Sequence, residues 1–310
     1  MGSLSRAIVR TVLYALWTLL LLPIQMVAVA LHVPLAKRLP RFYHRICCRL
    51  LGIRVAAQGM PSGDHPVLFV VNHSSYLDIT VLGSLIAGSF VAKAEIADWP
   101  LFGLLAKLQR TVFIDRRGSK AAHHRDEIGA RLEAGDDLIL FPEGTSNDGN
   151  RVLPFKSALF SVAERPVHGR PIVVQPVSVA YSHIDGLPLG REWRPHVAWY
   201  GDMDMGPHIC KLIALGKLTV QVLFHQPFTT AELAGAGVTA SGLRKLMADR
   251  SHAAVSDGHA QLLFASGRHP QASSAATSSA PKAPPSAPAA SGHGADTLEA
   301  TAPVADAASP

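Results

Sequence analysis

An imidazole and a carboxylate five residues apart are the first groups here able to do chemistry. They sit in Val67-Leu68-Phe69-Val70-Val71-Asn72-His73-Ser74-Ser75-Tyr76-Leu77-Asp78. The apolar, partly β-branched run reads as a buried strand and Asn72 to Ser75 as a polar turn. The second apolar run reads as a helix with Ser74 or Ser75 as N-cap. Within one helix, residues five apart point well away from each other around the axis. If the helix starts between them, His73 stands on the turn and Asp78 in the first helical turn, where its carboxylate reaches back to the ring. An Asp bonded to one ring nitrogen fixes the tautomer and stabilises the cation formed when the other nitrogen takes a proton. The result is a general base without a nucleophile of its own, suited to activating a substrate hydroxyl. A lone His at a strand end is also a common structural residue, so the pair alone does not decide the matter.

Two further strand-like runs end in polar groups. Thr111-Val112-Phe113-Ile114 leads into Asp115-Arg116-Arg117, and Leu138-Ile139-Leu140-Phe141 into Pro142-Glu143-Gly144-Thr145-Ser146. Arginine at a strand end suits a phosphate or carboxylate, which it binds through a planar, bidentate fork. Pro142 stops its strand and Gly144 lets backbone approach a ligand. Glu143 is placed either to bind a hydroxyl or to orient Arg116. The plain alternatives are a surface ion pair at Asp115-Arg116 and an ordinary turn at Glu143-Gly144.

Other strand-like runs are Ser89–Ala92, Ile172–Ala180 and Leu218–Phe224, and helix-like stretches cover Ile79–Ile86, Pro100–Lys107, Ala121–Glu133 and Ser157–Glu164. This alternation predicts an α/β fold, with a largely parallel central sheet flanked by helices. In such sheets the loops at the carboxyl ends of the strands gather into one site, which lets distant segments act together.

The chain has 310 residues, enough for one large α/β domain with additions. Its 48% hydrophobic content and mean hydropathy of +0.20 are high for a soluble protein and suggest a membrane contribution. A formal charge of +6 suggests an anionic partner. Nucleic acid is not expected, because no zinc-finger, RNP or helix-turn-helix pattern is present. Cys47, Cys48 and Cys210 form neither a disulfide framework nor a CxxC motif, which points to a reducing compartment.

Residues 7–33 are apolar apart from Arg10 and a few polar residues, with Pro23 near the middle. They are long enough to span a bilayer, or to lie in one leaflet as a kinked helix. A cleaved signal peptide is the alternative, with Ala28-Val29-Ala30 resembling a cleavage site. Arg41, Arg45 and Arg49 then form a stripe on a basic amphipathic helix running from Pro40 to the stop at Gly52. That helix is expected at an anionic headgroup layer, or else packed on the main domain. The excess of Lys and Arg after the apolar run places the following domain on the cytoplasmic side, at the inner membrane in a bacterium. The expected organisation is an anchor over 1–52, the main domain over 53–228, and a helical extension over 229–264 with its helix at Ala240–Ser256. A disordered Ala/Pro/Ser-rich tail follows over 265–310.

Taken together, the motifs resemble a known family. Asn72-His73-Ser74-Ser75-Tyr76-Leu77-Asp78, Val112-Phe113-Ile114-Asp115-Arg116, Phe141-Pro142-Glu143-Gly144-Thr145 and Val174-Gln175-Pro176-Val177 are similar, in order and spacing, to the four motif blocks of the glycerolipid (lysophosphatidate-type) acyltransferases. Lys93-Ala94-Glu95 with Trp99-Pro100 and Gly103 looks like the stretch between the first two blocks. The resemblance covers about residues 55–225. It implies acyl transfer from a thioester of acyl carrier protein or coenzyme A to the hydroxyl of a lysolipid. His73 would be the base and Asp78 its partner. Arg116, Glu143, Gly144, Thr145 and Lys93 would bind substrate, and Pro176 and Val177 would support the pocket. No cofactor and no metal are implied. Lysophosphatidate is the first acceptor to consider. The Ser146-to-Ala158 run departs from the usual Arg-Ser after Glu-Gly-Thr and is similar to the branch that acylates lyso-ornithine lipid. Arg116 suits either anion.

Overall fold

A computed structural model describes residues 2–64, 66–114, 128–163, 166–233 and 238–266. The described residues belong to one compact unit. The strands are β1 (Ile53–Gln58), β2 (Val67–Val71), β3 (Ser89–Lys93), β4 (Val112–Ile114), β5 (Leu138–Leu140), β6 (Val173–Ile184), β7 (Leu187–Pro188), β8 (Leu218–Phe224) and β9 (Phe228–Thr229). The principal helices are α1 (Leu4–Ala30), α2 (Leu35–Leu51), α3 (Leu77–Leu85), α4 (Phe102–Leu108), α5 (Met205–Ala214) and α6 (Ala240–Ser266). Among the described residues the sheet runs β1-β8-β6-β2-β5-β3-β4, with β7 and β9 paired to β6. Pairing is parallel except where β6 meets β7, β8 and β9.

β2 explains why the site sits where it does. All five of its residues are buried. Val67, Phe69 and Val71 join the core layer that includes Leu77, Val81 and Leu82 of α3. Leu68 and Val70 join the opposite layer, with Phe160 and with Met247 of α6. A slip of one residue would send every side chain to the wrong layer, so the register is strongly fixed. Each side chain of this size contributes about 1.5–3 kcal/mol on burial. The strand therefore delivers Asn72 and His73 to a defined point at the carboxyl edge of the sheet.

Several expectations need correction. β1 falls in a half-exposed stretch that carries little apolar signal. α2 begins at Leu35, with Pro40 inside it, and ends at Gly52 in the left-handed conformation. Ser157–Ala163 is a 3₁₀ stretch, not an α-helix. Tyr76, not Ser74 or Ser75, is the N-cap of α3. The last helix continues past Ser256 to Ser266 and buries Met247, Val255 and Leu262, so it is built into the domain. Of the helix expected at 121–133, residues 128–133 are described and helical. Arg116 and nearly all of the expected tail lie outside the described residues.

α1 lies along the domain and is attached to it near both ends. The Arg10 guanidinium donates to the carbonyls of Ile213, Leu215 and Gly216 at 3.0, 2.7 and 3.3 Å, where a cation favourably meets the end of α5. Towards the other end, Gln25 Nε2 donates to Leu108 O of α4 at 2.7 Å. The outer face of α1 leaves Leu4, Ile8, Val12, Leu16 and Leu19 exposed. It is 27 residues long and apolar enough to cross a membrane by length and composition. α2 buries Ala36, Leu39, His44, Cys47 and Cys48, and leaves Phe42, Arg45 and Arg49 outward.

Candidate active site

His73 leaves the end of β2 and Asp78 occupies the first turn of α3. His73 Nδ1 lies 2.8 Å from Asp78 Oδ2, as the spacing requires when the helix starts between them. The same oxygen accepts from the backbone N–H of Ser74 and Ser75 at 2.9 and 3.0 Å. Tyr181 Oη of β6 donates to Asp78 Oδ1 at 2.5 Å. Asp78 is fully buried, and these four donors lock the carboxylate in one orientation. Burial together with the Asp78 charge raises Tyr181 well above the ordinary tyrosine range, so it stays a donor. The ring of His73 stacks on Phe141, with centroids 4.2 Å apart. Nδ1 being committed to Asp78, Nε2 on the opposite edge of the ring is left for a substrate.

The turn itself is clamped. Asn72 accepts from Val179 N–H at 2.8 Å and donates to its carbonyl at 2.9 Å, which ties the turn to β6. Glu143 Oε1 accepts from His73 N–H at 2.8 Å, and its Oε2 accepts from Asn147 Nδ2 at 2.6 Å and Leu153 N–H at 3.1 Å. Asn147 N–H completes the ring by donating to His73 O at 3.1 Å. Burial pushes the Glu143 carboxyl up to about 7, against the opposing pull of those donors.

His73 opens onto a cavity of about 690 Å³ that runs between the sheet edge, α3, α4, α5 and the inner faces of α1 and α2. Apolar side chains such as Leu21, Leu39, Ile79, Phe90, Leu105 and Ile209 line it. Several polar groups in its wall pair with one another: Thr18 Oγ1 with Tyr43 Oη at 2.9 Å, and His44 Nε2 with Gln109 Oε1 at 3.0 Å. Burial lowers His44 to about 4, so the ring is neutral near pH 7.

The sequence-derived residues divide on this geometry. His73, Lys93, Gly144 and Thr145 all line the cavity. Asp78 stands behind His73. Glu143 is turned inward, with both oxygens spent on the His73 turn and its surroundings, so the expectation that it contacts substrate is not matched by its contacts. Pro176 and Val177 are buried in β6, opposite Val70 and Val71, and neither is part of the cavity wall. Tyr181, Asn147 and Phe141 carried no assigned role in the sequence. Tyr181 is separated from Asp78 by 103 positions, a pairing no local pattern shows.

The profile of the acyltransferase family matches residues 52–180. A lyso-ornithine lipid O-acyltransferase of Brucella abortus is 45% identical over 220 residues, spanning 69% of this chain and 82% of that protein. The chain belongs to the acyltransferase family. A protein of the same description from Rhizobium meliloti is 42% identical over 67% of this chain and 72% of its own length. A 1-acyl-sn-glycerol-3-phosphate acyltransferase of Neisseria gonorrhoeae is 32% identical over 54% and 62%. The crystal structure of the 1-acyl-sn-glycerophosphate acyltransferase of Thermotoga maritima superimposes with a TM-score of 0.52 at 21% identity, covering 83% of this chain and 97% of that one, and shares the fold. The acyltransferase thus carries its His-Asp pair, with Asp78 buried and His73 part-exposed, beside an apolar cavity at the carboxyl edge of β2.

Proposed function

We propose that this acyltransferase moves a fatty acyl group from a thioester to the hydroxyl of lyso-ornithine lipid, with His73 as general base. The observation that carries the reading is the His73–Asp78 pair, 2.8 Å apart, opening onto an apolar cavity of about 690 Å³. His73 Nε2 takes the proton as the acceptor oxygen attacks the thioester carbonyl. Asp78 holds the tautomer and stabilises the imidazolium. The tetrahedral intermediate expels the thiolate, which recovers that proton, leaving an ester and a free thiol. The cavity receives an acyl chain, which an apolar void of this size suits. Lys93, Gly144, Thr145 and Arg116 bind polar parts of the substrates. Glu143, with Asn147, holds the His73 turn and acts through it.

The choice of acceptor rests on the relatives, of which those bearing the lyso-ornithine description are 45% and 42% identical, against 32% for the glycerol-phosphate enzyme of Neisseria gonorrhoeae. It reverses the order drawn from the motif resemblance, which put lysophosphatidate first; charge favours neither acceptor, because Arg116 suits both anions. The donor is a thioester of acyl carrier protein or coenzyme A. The exposed face of α1 lies in one leaflet, consistent with attachment near both of its ends. The domain sits at the anionic cytoplasmic surface in this reading, which the basic stripe of α2 supports.

The test supplies purified protein with lyso-ornithine lipid or 1-acylglycerol-3-phosphate, each with both donors. Faster formation of diacyl ornithine lipid is expected. An equal or greater rate on the phosphate acceptor overturns the choice of acceptor, and fatty acid release without any acceptor overturns acyl transfer in favour of hydrolysis.

A further inference from the structure

The 3₁₀ turn at Ala94–Asp98 and α4 form a hairpin whose tip is Trp99-Pro100-Leu101-Phe102. One side of it belongs to the cavity wall, through Ile96, Leu105 and Leu108. The other side leaves Leu101 63% and Leu104 43% exposed. The two halves of the hairpin pack closely. Gly103 N–H donates to Trp99 O at 2.8 Å, and a Cβ at Gly103 would come within 2.3 Å of Ala97 O, so only glycine lets the two halves close. Leu101 is held at φ 61°, a region that branched residues avoid, yet its side chain is mostly in solvent. Folding recovers little from that strain, and strain of this kind collects at functional sites.

We propose that this hairpin is a second membrane-contact element, which dips into the same leaflet as α1 and forms the other lip of the cavity mouth. The occupant is the acyl region of a phospholipid leaflet. Three observations favour it. The hairpin is tied to α1 by the Gln25 bond to Leu108, so the two elements that carry exposed apolar side chains are in direct contact. Trp99 packs edge-on against Trp199, which in turn packs on Tyr76, so an aromatic rim runs from the tip to the residue three past His73. The family relatives named above act on lysolipids, whose chains reside in the leaflet. An apolar lip on each side lets a lysolipid reach His73 without its chain crossing water. The inference rests on the acyltransferase reading and adds where the acceptor enters.

The test places an environment-sensitive fluorophore by Leu101→Cys on a Cys210→Ser background, Cys47 and Cys48 being buried. Vesicles of phosphatidylethanolamine and phosphatidylglycerol are added, with or without doxyl-labelled chains. A blue shift quenched by the doxyl chains is expected. A probe that stays water-like while the protein co-floats with vesicles overturns the proposal, as does one that responds to acyl carrier protein and not to lipid. In parallel, Leu101→Ser/Leu104→Ser is assayed with vesicle-embedded lysolipid, where about tenfold loss is expected. A short-chain lysolipid below its micelle concentration should react at the parental rate; equal loss on both substrates also overturns the proposal. Failure of the acyltransferase reading is distinguishable, because it removes product from every variant and leaves the fluorescence result standing.

Discussion

The turn at Asn72–Asp78 and the outer face of α1 are built on opposite terms. At the turn, the functional carboxylate is fully buried and engaged by four donors, and both sides of the His73 peptide are held by the 143–147 loop. On α1, Leu4, Ile8, Val12, Leu16 and Leu19 are left in solvent. The first region is over-determined by hydrogen bonds, as a site needing sub-ångström geometry must be. The second is under-determined by the protein, and in the proposed reading a lipid leaflet completes it. A lipid-modifying enzyme needs both, a fixed base and an unfinished surface where its substrate dissolves.

Breaking the fixed region should cost most. Asp78→Asn keeps the volume but cannot accept from all its donors or hold the His73 tautomer, and turnover should fall roughly 10²–10⁴-fold with vesicle binding unchanged. Loss of vesicle binding along with turnover would show that the two regions are not independent. Tyr181→Phe removes a single hydroxyl from behind the same carboxylate, and about a tenfold fall in kcat with little change in KM is expected. An effect on KM alone would show that Tyr181 does not act through Asp78.

The smallest effect is thermodynamic. Burial raises the Glu143 carboxyl from 4.5 to about 7, so between those values the folded chain holds more protons than the unfolded one. Stability contributed by this group is therefore lost as pH rises through that window, up to about 3 kcal/mol. Urea unfolding of the parent and of Glu143→Gln from pH 4.5 to 8 should show a fall in the parent that the variant lacks. Parallel curves would mean that the desolvation of Glu143 is offset by its three donors.

Legibility in sequence followed the same divide. β2 and β8 were readable to the residue, because an apolar run and a clean alternation are local signals. The His73–Asp78 contact was readable because a turn between strand and helix fixes it. β1 was hidden, since a half-exposed edge strand has no such pattern. The extension of α6 past Ser256 was hidden by Gly258, which looks like a helix breaker. In fact a Cβ there would meet His225 at 2.5 Å, so the glycine serves close packing on the sheet. Tyr181 and Asn147 act through tertiary contacts. Glu143 was assigned by motif to the substrate, whereas its burial and its three partners turn it towards the protein.

The most direct measurement is single-turnover acyl transfer by purified wild type and His73→Ala in vesicles containing lyso-ornithine lipid, with acyl thioester in excess. The wild type should convert the acceptor to its diacyl form, and His73→Ala should fall at least about a hundredfold behind while binding the vesicles equally well. Conversion by His73→Ala at the wild-type rate would contradict the assignment of His73 as the base.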